Sequence, residues 1–266
     1  MPVTIEIIAA GNELLEGDVQ DTNTHWLCQQ LTGLGGRVVR TVLIEDDNAA
    51  IARELRDAVK RGTALVITTG GLGPTADDHT LEGVALALGR EMRKDDAALA
   101  MLRGRYETLA RERHVQQFEI TPARRKMARL PAGSEPVPNP VGTAPAVAIR
   151  LPKTVVVCLP GVPAEMKAIF QQSLSPLWRE IFKNGAYVQR ALVTESGDES
   201  SLAPYVERVA RQHPRVYVKS RARRFGADVR IHITLSARGK DRAEAEALTQ
   251  AAWDDLTEAL ADFTAK

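Results

Sequence analysis

ALVITTGGLGPTADDHT (Ala64–Thr80) begins as a strand and ends as a helix start. Its first six residues are small, β-branched or aliphatic, with no polar alternation beyond two threonines. A short strand apolar on both faces fits a parallel sheet covered by helices. Gly70, Gly71, Gly73 and Pro74 then turn the chain. Two aspartates, Asp77 and Asp78, precede apolar positions at Leu81, Val84, Ala85 and Leu88, the spacing of a helix over His79–Leu88. The same strand, polar turn and helix recur on either side. Thr4–Ala10 and Arg37–Ile44 read as strands. Asp21–Leu34 reads as a helix with Trp26, Leu27, Leu31 and Leu34 on one face. Asp47 can cap a helix carrying Ile51, Leu55 and Val59. Downstream, Asp95–Arg113 reads as a helix and Thr121-Pro122 as a helix start. Ala146–Leu151 and Thr154–Leu159 read as strands, and Gly161-Val162-Pro163 opens a helix through Gln171. This alternation predicts an α/β fold, a doubly wound, mostly parallel sheet.

After about Ile181 the pattern changes to strand Tyr187–Thr194, helix Glu199–Gln212, strands Arg215–Lys219 and Asp228–Ser236, and a long helix Asp241–Leu260. We therefore expect two domains, residues 1–182 and a smaller α+β domain over 187–262, joined within Lys183–Ala186. A net charge of +1 gives no global attraction to nucleic acid or membrane. No basic N-terminal region leads into a long apolar run, so neither a secretory signal nor a membrane segment is expected, and the expected compartment is the cytoplasm. Cys28 and Cys158 are far apart in apolar settings and read as buried reduced thiols. The histidines, His25, His79, His114, His213 and His232, show no ligand spacing. Of these, only His79 falls near the glycine turn.

In an open α/β sheet, ligands bind beyond the carboxyl ends of the strands. Gly70, Gly71 and Gly73 lie at that edge, where glycine lets backbone amides approach an anion. Carboxylates beyond a phosphate cradle are tolerable if a divalent cation bridges them, because hard cations take carboxylate and phosphate oxygens together. Asp77 and Asp78 read either as ligand or metal groups or as caps of the next helix. GNELLEGDVQDTN (Gly11–Asn23) adds Asn12, Glu13, Asp21 and Asn23 after the first strand. IEDDN (Ile44–Asn48) adds Asp46 and Asp47 after the second, Asp47 again with a cap alternative. NPVGTAP (Asn139–Pro145) and LPGVPAEM (Leu159–Met166) combine Gly and Pro beside predicted strands, as functional loops or as plain turns. The glycine turn is neither a Walker loop nor a GxGxxG fingerprint.

GNELLEGDVQDTN, TTGGLGPTADDHT, TPARRKMARLP, NPVGTAP and LPGVPAEM, in that order, resemble the N-terminal module of the competence/damage-inducible protein A (CinA) family. That module is similar to the molybdopterin-binding domain of molybdenum cofactor biosynthesis proteins. The segment 187–262 resembles the family's small KH-like domain. The C-terminal amidase domain of long members is expected to be lacking, and deamidase activity with it. The resemblance implies a metal-dependent nucleotide pyrophosphatase acting on ADP-ribose or a related dinucleotide such as FAD, with Mg²⁺, Mn²⁺ or Co²⁺. Molybdopterin binding or adenylyl transfer is the alternative enzyme reading, and a non-catalytic nucleotide- or pterin-binding module the third. Carried onto this chain, the catalytic candidates are Asp78, Asp47 and Glu13, with Asp78 and Asp47 also the metal candidates. The binding candidates are Gly70, Gly71, Gly73, Thr75, Asp77, Asn12, Asn23, Asn139, Gly142, Thr143, Pro160 and Gly161. The resemblance further implies a homo-oligomer. Family members commonly carry Thr where this chain has Asn12, Gly where it has Ala146, and Pro where it has Val162. Lys219, Arg221, Arg223, Arg224 and Arg230 crowd a predicted hairpin, but no GXXG clamp accompanies them. A solvated hairpin or subunit contact is therefore favoured over nucleic acid.

Overall fold

The computed structural model describes residues 2–113, 115, 118–183, 185–194, 198–222 and 230–264. They form two compact units, the larger comprising Val3–Leu31 and Arg37–Ile181, the smaller built mainly on Phe182–Lys266. In the larger unit β1 (Thr4–Ala10), β2 (Arg37–Ile44) and β3 (Leu65–Thr69) take the order β2-β1-β3. The sheet continues through β8 (Val155–Leu159), β7 (Ala146–Arg150) and β6 (Glu135–Val137). The first four pair in parallel, β7 runs antiparallel to β8, and β6 runs antiparallel to β7.

Register explains where the loops go. Ala10 pairs with Ile44, Ala9 with Thr69, and Thr69 with Leu159, so four parallel strands end along one edge. Because β7 is antiparallel, the loop that enters it at Ala146 lies at this same edge. That brings the segments after β1, β2, β3 and β8 and the one before β7 together. Ala146 itself is fully buried at the start of β7 and does not line the pocket formed there.

The helices form where capping and apolar spacing agree. Asp21 accepts the Thr24 amide at 2.9 Å ahead of α2 (Thr22–Gly33), which buries Leu27 and Leu31 completely. Asp47 accepts the Ala50 amide at 2.8 Å and starts α3 (Asn48–Lys60), burying Ile51 and Leu55. α4 (Thr80–Leu88) starts later than the aspartate pair predicts, and no side chain caps it. The cap alternative is therefore right for Asp47 and wrong for Asp77 and Asp78. α5 (Asp96–Arg111) is capped by Asp95, and α6 (Pro122–Lys126) by Thr121. After α7 (Pro163–Ala168) the helix widens into a π-turn at Ile169–Ser173 before α8 (Ser175–Phe182), a departure from the single helix predicted through Gln171. The sequence reading also missed α1 (Asn12–Leu15), the strand β6, and the ribbon of β4 (Met92–Lys94) with β5 (Arg129–Pro131).

Burial pushes the Cys158 thiol up to about 11, so only about one molecule in a thousand carries the thiolate at pH 8. A thiol reagent at pH 8 should leave Cys158 unmodified in the native protein and modify it after unfolding. Native-state modification at the rate of an exposed thiol would contradict its placement in the core.

The smaller unit has β9 (Ala186–Val193), α9 (Glu199–Gln212), β10 (Val216–Ala222), β11 (Ile231–Gly239) and α10 (Arg242–Thr264). Its antiparallel sheet has the order β10-β11-β9, and Leu202, Val206, Ile233, Leu235 and Leu256 form its core. Arg223 and Arg224 of the basic hairpin, Asp228 at the predicted start of the last strand, and His114 lie outside the described residues. No helix among the described residues is long and apolar enough to cross a membrane.

Candidate functional site

The converging loops enclose a pocket of about 360 Å³. The turn after β3 forms one part of its wall. Gly70 has φ +99° and Gly71 φ +64°, backbone that side chains rarely adopt. A Cβ on Gly70 would stand 2.1 Å from the Ala10 carbonyl oxygen, and one on Gly71 2.4 Å from Thr80 Oγ1. The fully buried Thr80 fixes this turn, donating from its hydroxyl to the Gly70 carbonyl at 2.8 Å and from its amide to the Gly71 carbonyl at 3.1 Å. Among the described residues, the amides of Gly71, Leu72 and Gly73 have no hydrogen-bond acceptor. Three successive unaccepted amides on a pocket wall suit an anion.

Carboxylates gather against this turn. Glu13, Asp46, Asp77, Asp78 and Glu165 all line the pocket, and among the described residues no Lys, Arg or His does. Asp78 Oδ2 accepts from the Thr75 amide at 2.8 Å and the Thr75 hydroxyl at 2.5 Å. Lys126 on α6 steadies the same turn, donating to the carbonyls of Thr75 and Asp78 at 2.5 and 2.7 Å. The Thr75 side chain, then the backbone amide of Asp77 itself and the charges of Lys126 and His79, hold the Asp77 carboxyl below its usual range. Asp46 behaves oppositely. Burial first, and then the charges of Glu13, Asp77 and Asp78, push its carboxyl up, against the amide of Asn12 that donates to it at 3.0 Å.

The predicted site residues divide accordingly. Glu13, Gly70, Gly71, Gly73, Asp77, Asp78, Thr143, Pro160 and Gly161 line the pocket. Asp47 does not: its carboxylate caps α3, and its neighbour Asp46 is the one that faces the other acids. Asn12 braces Asp46, with its Oδ1 accepting the Asp46 amide at 3.3 Å. Asn23 lies in an adjoining recess of about 90 Å³ and donates to the Gly161 carbonyl at 2.6 Å. Asn139 donates to Glu165 Oε2 at 2.6 Å, and its Oδ1 accepts from the Gly142 amide at 2.8 Å. Asn12, Asn23, Asn139, Gly142 and Thr75 are thus supports behind the pocket wall. Sequence reasoning placed Asp46 at this edge but chose Asp47 over it as a candidate, and it gave no role to Lys126 or Glu165. The signals were present as the first of two aspartates after a strand, and as an acid two residues past Pro163. Among the described residues, no three His, Cys, Asp or Glu side chains converge closely enough to cage an ion by themselves.

Comparison with known proteins gives the family. Residues 6–180 match the family described as "Probable molybdopterin binding domain". A protein of Aeropyrum pernix is 44% identical over 247 residues, covering 91% of this chain and 88% of that one. A "CinA-like protein" of Frankia casuarinae is 40% identical over 252 residues, 91% of this chain but 55% of its own length. The solved structure entitled "The crystal structure of the protein CinA with unknown function from Thermoplasma acidophilum" is 37% identical. It superposes with a TM-score of 0.59, covering 68% of this chain and 98% of that one.

Proposed function

The chain belongs to the CinA family and carries its probable molybdopterin binding domain, and from that premise we propose that it hydrolyses the pyrophosphate bond of a nucleotide such as ADP-ribose or FAD, with a divalent cation. The observation that carries this reading is that one pocket is lined both by a turn with three unaccepted amides and by a group of carboxylates. Either feature alone is common. Together they suit a ligand that brings negative phosphoryl oxygens and a cation that joins them to the acids.

The acids fit such a cation. Burial first, and then the charges of Glu13, Asp77 and Asp78, push Asp46 up, and a hard cation would relieve the repulsive part. That no three of them cage an ion is consistent with Mg²⁺, which binds through one or two carboxylates plus water and substrate phosphate. When bound, the ion would neutralise charge developing on the phosphoryl oxygens. The chain's own part is distinct. The Gly71–Gly73 amides would hold one phosphoryl group. Asp78, its Oδ2 fixed by Thr75, and Glu13 are the candidate metal ligands in place of the pair Asp78 and Asp47. Asp46 would align the attacking water. Water attack at one phosphorus breaks its bond to the bridging oxygen, giving AMP and ribose 5-phosphate from ADP-ribose.

The test is AMP release from ADP-ribose and FAD with Mg²⁺, Mn²⁺ or Co²⁺. We expect metal-dependent release that falls at least about 10²-fold in Asp46→Asn or Asp78→Asn. Release should be unaltered in Asp47→Asn, because asparagine also caps a helix. No release from folded wild-type protein under any metal would remove the hydrolase reading. The family description supports the alternative that the pocket holds a pterin phosphate, with or without adenylyl transfer. AMP incorporation from ATP into a pterin would mark transfer, and pterin binding without turnover a binding module.

A further inference from the structure

Glu165 differs from the other pocket acids. Its carboxylate has its own support. Asn139 donates to Oε2 at 2.6 Å and to the Ala144 carbonyl at 2.9 Å, while its Oδ1 accepts from the amides of Val141 and Gly142 at 3.1 and 2.8 Å. Asn139 therefore has a single orientation, with nitrogen toward Glu165. Arg105 braces the same loop from α5, donating to the Gly142 carbonyl at 2.9 Å and to that of Val141. Gly142 leaves the carboxylate its space: a Cβ there would stand 1.9 Å from Glu165 Cδ. Among the described residues, Glu165 Oε1 has no partner.

A braced carboxylate on a pocket wall repels phosphate and can only accept hydrogen bonds. With the cation read at Asp78 and Glu13, a neutral donor is the group that suits the free Oε1. A ribose offers two adjacent hydroxyls, and an acidic residue accepting from ribose hydroxyls is the recognition used in dinucleotide sites. We propose that Glu165 accepts from the hydroxyl pair of a ribose joined to the diphosphate, so that the pocket selects ribosyl diphosphates. The inference rests on reading the Gly70–Gly73 turn as the diphosphate site.

The experiment is calorimetric titration, with Mg²⁺ present, of ADP, 2′,3′-dideoxy-ADP and inorganic pyrophosphate. Wild type should bind ADP at least about tenfold more tightly than the dideoxy compound, the scale of one hydrogen bond to a charged acceptor. Glu165→Gln should weaken ADP about tenfold, leave pyrophosphate unchanged and keep the melting temperature, since glutamine can still accept from Asn139. Gly142→Ala should reproduce this by displacing the carboxylate. If wild type binds both nucleotides equally, or Glu165→Gln binds ADP as wild type does, Glu165 does not read ribose although the turn still holds diphosphate. If wild type binds no pyrophosphate, the reading of the turn falls and this inference with it. The wild-type comparison needs no variant to fold.

Discussion

Gly70→Ala should destabilise the larger unit by about 4 kcal/mol and abolish ligand binding. Two costs add. An L-residue at φ +99° carries strain of about 2 kcal/mol. The new methyl would also lie 2.1 Å from the Ala10 carbonyl oxygen, an overlap costing about 2 kcal/mol more as the backbone shifts. Neither neighbour can yield cheaply. Ala10 ends β1 in register with Ile44, and the Gly70 amide donates to the Leu159 carbonyl at 3.1 Å while Thr80 holds its carbonyl. The melting temperature of that transition should drop by about 10 °C. Gly73→Ala is the contrast. Its φ is not positive and the atoms its methyl would meet first belong to the Asp78 carboxylate, at 2.6 Å, so the change displaces that side chain from Thr75 and not the backbone. It should keep stability and lose ligand. Equal melting temperatures for Gly70→Ala and wild type would show that the turn is not held as described.

The sheet was readable because its strands are consecutive apolar runs whose ends are marked by glycine or charge. β1 and β2 have the predicted bounds, and β3 differs by one residue. The elements that were not readable are three or four residues long and make no period. Met92–Lys94 and Arg129–Pro131 pair with each other across a long helix, a contact that no local pattern encodes. At the site, residue type gave the acids but not their tasks. Asp46 and Asp47 are chemically identical neighbours. Which one caps is decided by where α3 starts, and the apolar spacing of Ile51 and Leu55 does not fix that start to one residue. The same uncertainty acted in reverse at Asp77 and Asp78, where the Gly71 carbonyl binds the Thr80 amide and starts the helix beyond both. Glu165 needed the antiparallel turn of β7, which alone brings Asn139 beside it.

At the far end of β1 from the site, Glu6 is the one charged residue in an otherwise apolar strand, and Glu6→Gln should cost about 3 kcal/mol at pH 7. Its side chain is 3% exposed. Arg61 grips both oxygens, Nε to Oε1 at 3.0 Å and a terminal nitrogen to Oε2 at 2.7 Å, and Thr63 donates to Oε1 at 2.5 Å. Arg40 stands 3.8 Å from Oε2. Removing the charge leaves Arg61 facing a neutral amide that also presents N–H groups to it. Burial alone would raise the Glu6 carboxyl, but the bonds from Arg61 and Thr63 and the charges of Arg61 and Arg40 outweigh it and hold the group below 4.5. The native state therefore binds this proton more weakly than the unfolded chain does. The pair's stabilisation is fully present above about pH 4.5 and is lost as pH falls through the lower native value. Urea unfolding of wild type and Glu6→Gln between pH 7 and pH 3 measures this directly. The stability gap should stay level down to about pH 4.5 and then close. A gap that is unchanged at pH 3 would mean that shape rather than charge holds Glu6 in place.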